Sequence, residues 1–278
     1  MKMTGNVLED LKKIVVFGDD IAGKVSGAMI NLENQNIWIT NYQHTVLAKY
    51  TTKNSLVNEI IAMRTKDVPQ GIVSIDFRDL GKQIKLLYEN QKNIVQEMTV
   101  PKQESFLTEA KKVWGEYLHN EIVCPITIKK SVLESVDGSV SAVTNIIVKE
   151  DKWGFTQLDV SQSKLYETYF KLASKDIGEF FMGEGNAKRS EGKVSVSTKE
   201  LRALLLLSPE IITIEIKNSQ PISFSIPMSA GTIEGLIAPL EFIFEEIPEV
   251  KKIIVEEPKP KEVEISKPKE ENKTVISF

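Results

Sequence analysis

The chain has 278 residues, 41% hydrophobic and 27% charged, with a formal net charge of -4. That length suits one large domain or two of about 100–150 residues, each able to bury a core. One cysteine, Cys124, and two histidines, His44 and His119, give no basis for an internal disulfide, a cysteine-built metal site or triad chemistry.

The opening stretch MKMTGNVLEDLKK lacks the apolar segment of a secretory signal, and no apolar run nears the ~20 residues of a membrane span, so an intracellular protein is expected. Val7, Leu8, Leu11 and Val15 predict a helix over 6–16, with Glu9, Asp10 and Lys13 on its polar face. Alternation predicts strands over 24–31, 35–41, 44–51 and 71–77. Over 78–89, Phe77, Leu80, Ile84 and Leu87 share one side of a helical wheel, and Arg78, Lys82 and Lys85 the other. That pattern predicts a second helix with a basic face. Phe106, Ala110, Val113, Trp114 and Tyr117 also stand at helical spacing within 105–118.

A short helix is expected over 129–136, grouping Lys130, Glu134 and Asp137. Strands follow over 143–149, 153–159, 164–173 and 192–197. In the next predicted helix, 198–207, Lys199 and Arg202 oppose Leu201, Leu204 and Leu205. Strands 211–217, 221–227 and 232–237 close the pattern, with turns at Asn218-Ser219 and Ala230-Gly231. Strands outnumber helices and alternate in polarity, so the expected fold class is α+β with antiparallel sheets, each with one covered face. The tail from Glu245 is rich in Glu, Lys and Pro and is expected to lack packed structure. Its end, Val275-Ile276-Ser277-Phe278, reads either as a docking peptide or as a frayed terminus.

Two internal echoes point to a duplication. GIVSIDFRDLGKQIKLL (71–87) aligns with GKVSVSTKELRALLLL (192–207), and NIWITNYQ (36–43) with DKWGFTQL (151–158). Both occur in the same order, which suggests two units of about 120 residues.

Several stretches together resemble a known family. Strands 211–217 and 221–227, the turn at Gly231 and the run Leu236-Ile237-Ala238-Pro239 are similar to the closing hairpin and Leu-Ala-Pro ending of sliding clamps of the proliferating-cell-nuclear-antigen type. IWITNYQHTVLAKY (37–50) is similar to that family's early strand pair, and VSVSTKELRALLLL (194–207) to its fourth helix. The chain departs from the family at Leu240, where a basic residue is usual, and in its charged tail. It departs also at 105–118, read either as an inserted helix or as the family's strand and connector.

The resemblance implies a clamp domain at 1–120, a second at 121–244 and a tail at 245–278, with two helices per domain. Three subunits would close a ring, as a homotrimer or a heterotrimer. The implied activity is that of a DNA polymerase processivity factor, without catalysis, metal or cofactor. The implied partners are double-stranded DNA bound without regard to sequence, a DNA polymerase, a clamp loader and other proteins carrying clamp-binding peptides. DNA would meet Lys13, Arg78, Lys82, Lys85, Lys130, Lys199 and Arg202 on the helices. Partner peptides would meet Ile237, Ala238, Pro239 and Leu240, with Val123 and Pro125 in a connector within 118–127.

A divergent clamp of this kind is expected in the cytoplasm of an archaeal or virus-infected cell, or in a eukaryotic nucleus. Competing readings are a checkpoint-type or specialised heterotrimer subunit, and a monomeric processivity factor with an open basic face. An enzyme using Asp19-Asp20 or Glu245-Glu246 is a further reading, but neither pair has a catalytic context.

Overall fold

The computed structural model describes residues 2–23, 25–118, 124–149, 152–159, 164–171, 192–216 and 220–240. The charged tail, its terminal peptide, Val123, His119 and the Asn218-Ser219 turn lie outside the described residues. In chain order the elements begin with β1 (Lys2–Met3), α1 (Gly5–Ala22), β2 (Met29–Glu33), β3 (Asn36–Thr40), β4 (Val46–Thr52) and β5 (Ile61–Arg64). After a 3-10 turn at Thr65–Asp67 come β6 (Ile72–Asp79), β7 (Gln83–Asn90), β8 (Val95–Pro101) and α2 (Leu107–Leu118). Then follow β9 (Cys124–Lys129), α3 (Lys130–Glu134), β10 (Val143–Lys149), β11 (Lys152–Asp159), β12 (Lys164–Lys171) and β13 (Gly192–Ser197). The described chain ends with α4 (Thr198–Ala203), a 3-10 turn at Leu204–Leu207, β14 (Ile211–Ile216), β15 (Ile222–Pro227) and β16 (Gly231–Ile237).

The fold is α+β, and its sheets are antiparallel. One four-stranded sheet has the order β1-β6-β7-β8, a second β12-β11-β10-β13, and an eight-stranded sheet β5-β2-β3-β4-β16-β15-β14-β9. The same connectivity is written twice. The orders β1-β6-β7-β8 and β5-β2-β3-β4 recur eight strands later as β9-β14-β15-β16 and β13-β10-β11-β12. A helix follows the first strand of each half, α1 or α3, and a helical turn follows the fifth. The eight-stranded sheet is therefore one sheet from each half, joined where β4 meets β16.

This topology supports one of the two echoes. β3 and β11 hold equivalent places, so the Trp38 and Trp153 stretches correspond. The 71–87 echo pairs β6 with β13, whereas the strand order sets β6 against β14. Its helical half is also absent, because residues 78–89 form the end of β6, a turn and most of β7. The turn explains the misreading. Asp79 accepts the Gly81 N–H at 2.7 Å, Gly81 sits at φ +85°, and the Leu80 N–H reaches the Gln83 carbonyl at 2.9 Å. Glycine takes such a backbone without steric cost. On either side Ile75 and Phe77 alternate inward, as do Ile84 and Leu86, so the period is two.

The first helix runs longer than its pattern predicts, and Asp10, expected on its polar face, is fully buried. The last helix turns 3-10 after Ala203. Asp137 falls beyond α3. One core extends from α1 through the inner sheet faces to Leu201 and Leu204. It is continuous across the β4–β16 joint, where Phe17 of α1 meets Phe224 of β15 edge to face at 6.5 Å.

Candidate nucleic-acid and partner surfaces

Four of the seven predicted DNA-facing cations stand on helices that touch one another. Helix α1 contacts α4 and the Leu204–Leu207 turn, and α3 contacts that turn as well. Lys13 lies on the outward side of α1, Lys130 on α3, and Lys199 and Arg202 on α4. These cations are partly neutralised. Lys130 pairs with Glu134 at 3.5 Å, and the neighbouring Lys12 with Glu9 at 2.7 Å. The Arg202 guanidinium donates to the Val136 carbonyl, which fixes its stem beside Gly138. A cleft of about 440 Å³ opens here, lined by Asp20, Gly138, Ala142, Thr198, Lys199 and Arg202.

Arg78, Lys82 and Lys85 do not join this layer, for they belong to the β6–β7 hairpin and not to a helix. Arg78 and Lys85 are cross-strand neighbours. Each has a carboxylate at hand, Asp76 at 3.5 Å from Arg78 and Glu97 at 2.7 Å from Lys85. A phosphate would have to displace those partners, although exposed pairs of this kind are worth only about 0–1 kcal/mol.

The predicted partner-binding end of β16 divides in two. Ile237 is fully buried in the main core and cannot line an open pocket. Ala238, Pro239 and Leu240 are half-buried at the surface. Their backbone is tied down, Ala238 N–H to the Thr45 carbonyl and Leu240 N–H to the Ser195 carbonyl, both at 2.7 Å. Thr45 belongs to the β3–β4 turn, where buried Asn41 accepts the N–H groups of Thr45 and Val46 at 2.9 and 3.2 Å. Glu200 of α4 accepts the Thr45 hydroxyl. Asn41, Thr45 and Glu200 thus make a seam that sequence reading missed, since nothing local links positions so far apart. Pro125 lies in β9 opposite Glu215.

Residues 105–118 do contain a helix. α2 lies on the outer face of the eight-stranded sheet through a small cluster apart from the main core: Trp38, Leu107 and Ala110, with Leu47, Phe106 and Trp114 partly buried against it. Val113, from the same predicted stripe, is exposed. Trp38 and Trp114 meet edge to face at 6.0 Å, and the Lys49 ammonium lies 5.7 and 5.2 Å from their centroids. Glu33 accepts from Trp38 at 3.1 Å and from Lys111 at 2.8 Å. Burial alone would raise the Glu33 pKa. The hydrogen bonds from Lys111, Trp38 and Asn36 and the Lys111 charge outweigh it and hold the carboxyl below its ordinary range.

Among the described residues β1, β8, β12, β13, β5 and β9 stand at sheet ends, and two of them matter for assembly. β8 ends one four-stranded sheet and β12 ends the other. They occupy the places equivalent to β16 and β4, the strands that pair at the internal joint. Near the β8 edge Ile94 and Val95 are 50% and 70% exposed. Among the described residues no cluster of His, Cys, Asp and Glu could hold a metal ion, and no helix is long and apolar enough to cross a membrane. No model of a known family matches the chain, and none of the curated proteins matches it.

Proposed function

We propose that the chain is a subunit of a sliding clamp, a ring that encircles duplex DNA and tethers a polymerase and other replication and repair proteins to it. The observation that carries this reading is the repeated strand order together with its joint. The first half's β4 pairs with the second half's β16, which leaves β8 and β12 as the same two kinds of edge, unpaired. A contact of β8 with β12 of another copy would repeat the internal joint. Such a head-to-tail contact is heterologous and closes into a ring when its rotation divides a full turn. Exposed strand edges with apolar residues such as Val95 are otherwise a liability for aggregation.

A ring needs only loose, sequence-independent contact with DNA, because encirclement replaces grip. The partly neutralised cations of α1, α3 and α4 suit that role better than the sheet-borne Arg78, Lys82 and Lys85. The experiment is primer extension with the cognate polymerase and loader on circular and linear primed templates. Stimulation is expected on circles, and on linear templates only with blocked ends. Combining Lys130→Glu, Lys199→Glu and Arg202→Glu should remove stimulation while leaving assembly intact. Equal stimulation on open linear templates would contradict the reading.

A further inference from the structure

On the outer face of the eight-stranded sheet, one row of side chains crosses five strands. Register pairs Trp38 with Lys49, Lys49 with Glu234, Glu234 with Ser225, and Ser225 with Thr213. The row is apolar and aromatic under α2 and turns polar and acidic beyond Lys49. There a cavity of about 240 Å³ opens between the C-terminal half of α2, which gives Trp114 and Tyr117, and the sheet, which gives Glu215, Ser223, Ser225 and Glu234. We infer that this cavity is a binding site for a cationic side chain, lysine or arginine, presented by a partner protein.

The volume lies below the ~300–1,000 Å³ usual for small-molecule sites and suits one long side chain. Charge gives the sign. Glu215 accepts the Ser223 hydroxyl at 2.9 Å and has no ion pair among the described residues. Among the described residues Glu234 has only Lys49 as an ion-pair partner, at 3.8 Å, and its side chain is 46% exposed. Two carboxylates therefore line the cavity, with one cation beside Glu234. The aromatic wall adds to this, because a cation within about 6 Å of an indole centroid is attracted by the ring. Trp114 already holds Lys49 in that manner at 5.2 Å. Serine hydroxyls between the carboxylates supply acceptors for the remaining N–H groups. An apolar anchor would take water from these carboxylates and return no hydrogen bond for their remaining lone pairs.

The inference does not depend on the ring, so its test is made without DNA. The probe is the blocked tripeptide acetyl-Gly-Arg-Gly-amide, titrated into the full chain labelled with ¹⁵N-tryptophan. Its neutral isostere, with citrulline in place of arginine, is the control. The Trp114 indole resonance, assigned with Trp114→Phe, is expected to shift saturably with arginine peptide and at least tenfold more weakly with the citrulline peptide. The double variant Glu215→Gln, Glu234→Gln keeps side-chain size and should lose at least tenfold in affinity with its melting temperature preserved. Equal shifts from both peptides, no saturable shift, or full affinity in the folded double variant would each overturn the inference. If the double variant does not fold, the comparison of the two peptides on the native chain decides alone.

Discussion

Asp10 accepts the Tyr50 hydroxyl at 2.9 Å from a position with no solvent exposure. The same carboxylate takes the backbone N–H groups of Ser229 and Ala230 at 3.0 and 2.7 Å. One side chain on α1 thereby holds β4 and the β15–β16 turn together at the joint between the halves. Burial first, and then the Asp10 hydrogen bond and charge, push the Tyr50 phenol far above its ordinary value, so it remains a neutral donor. Asp10→Ala takes the acceptor from the buried Tyr50 hydroxyl and from two part-buried backbone N–H groups and should cost about 2–3 kcal/mol. Tyr50→Phe leaves Asp10 two donors and should cost about 1–2 kcal/mol. Chemical denaturation of both variants checks the order, and equal small losses would remove Asp10 from its role in the joint.

Gly231 and Gly235 belong to the same joint for a steric reason. A Cβ at Gly231 would collide with the Thr51 carbonyl oxygen and lie 2.8 Å from the Tyr50 ring. A Cβ at Gly235 would collide with the Phe224 ring and approach the Ala48 Cβ at 3.0 Å. The present spacing of β16 from β4 leaves no room for a side chain at either position. Gly231→Ala and Gly235→Ala should each destabilise by about 1–3 kcal/mol, Gly231→Ala more, because backbone cannot move aside as a ring can. Melting temperatures of the two variants check this.

The attachment of α2 should depend on acid pH. The Glu33 carboxyl has a folded pKa below its unfolded value. Its contribution is therefore complete above the unfolded carboxylate range, about 4.3, and is lost as pH falls through the lowered folded value. Tryptophan emission should report Trp38 and Trp114 parting on that acid limb. Glu33→Gln should flatten the limb, and an unchanged limb in that variant would place the sensor elsewhere.

The sequence was legible where one face of a strand or helix is buried and the other is wet. β14 and β15 alternate cleanly, and their limits follow from Ile212, Ile214, Phe224 and Ile226 facing inward. The tryptophan echo survived because β3 and β11 hold equivalent places. Residues 78–89 failed because Phe77, Leu80, Ile84 and Leu87 satisfy a helical period by coincidence, while Leu80 sits exposed at a turn. Edge strand β8 left no signal, since Val100 alone among its residues is fully buried. Asp10 and Glu200 were illegible for a different reason. Their partners lie 40 to 220 and 155 to 159 positions away, and only the assembled joint makes a buried carboxylate favourable.

The central claim is that β8 of one copy pairs with β12 of the next and closes a ring. Sedimentation equilibrium tests it most directly, on the native chain and on a variant with Glu97→Pro and Thr99→Pro in β8, positions whose N–H groups face away from β7 because the hydrogen-bonded pairs Asn90–Ile94 and Lys82–Lys102 put the even-numbered donors of β8 on that strand, and proline removes ladder donors. The account predicts one discrete assembly of three 31.3 kDa chains, with the variant folded and monomeric. A native chain that remains monomeric at tens of micromolar, or an assembly that survives both prolines, would contradict it.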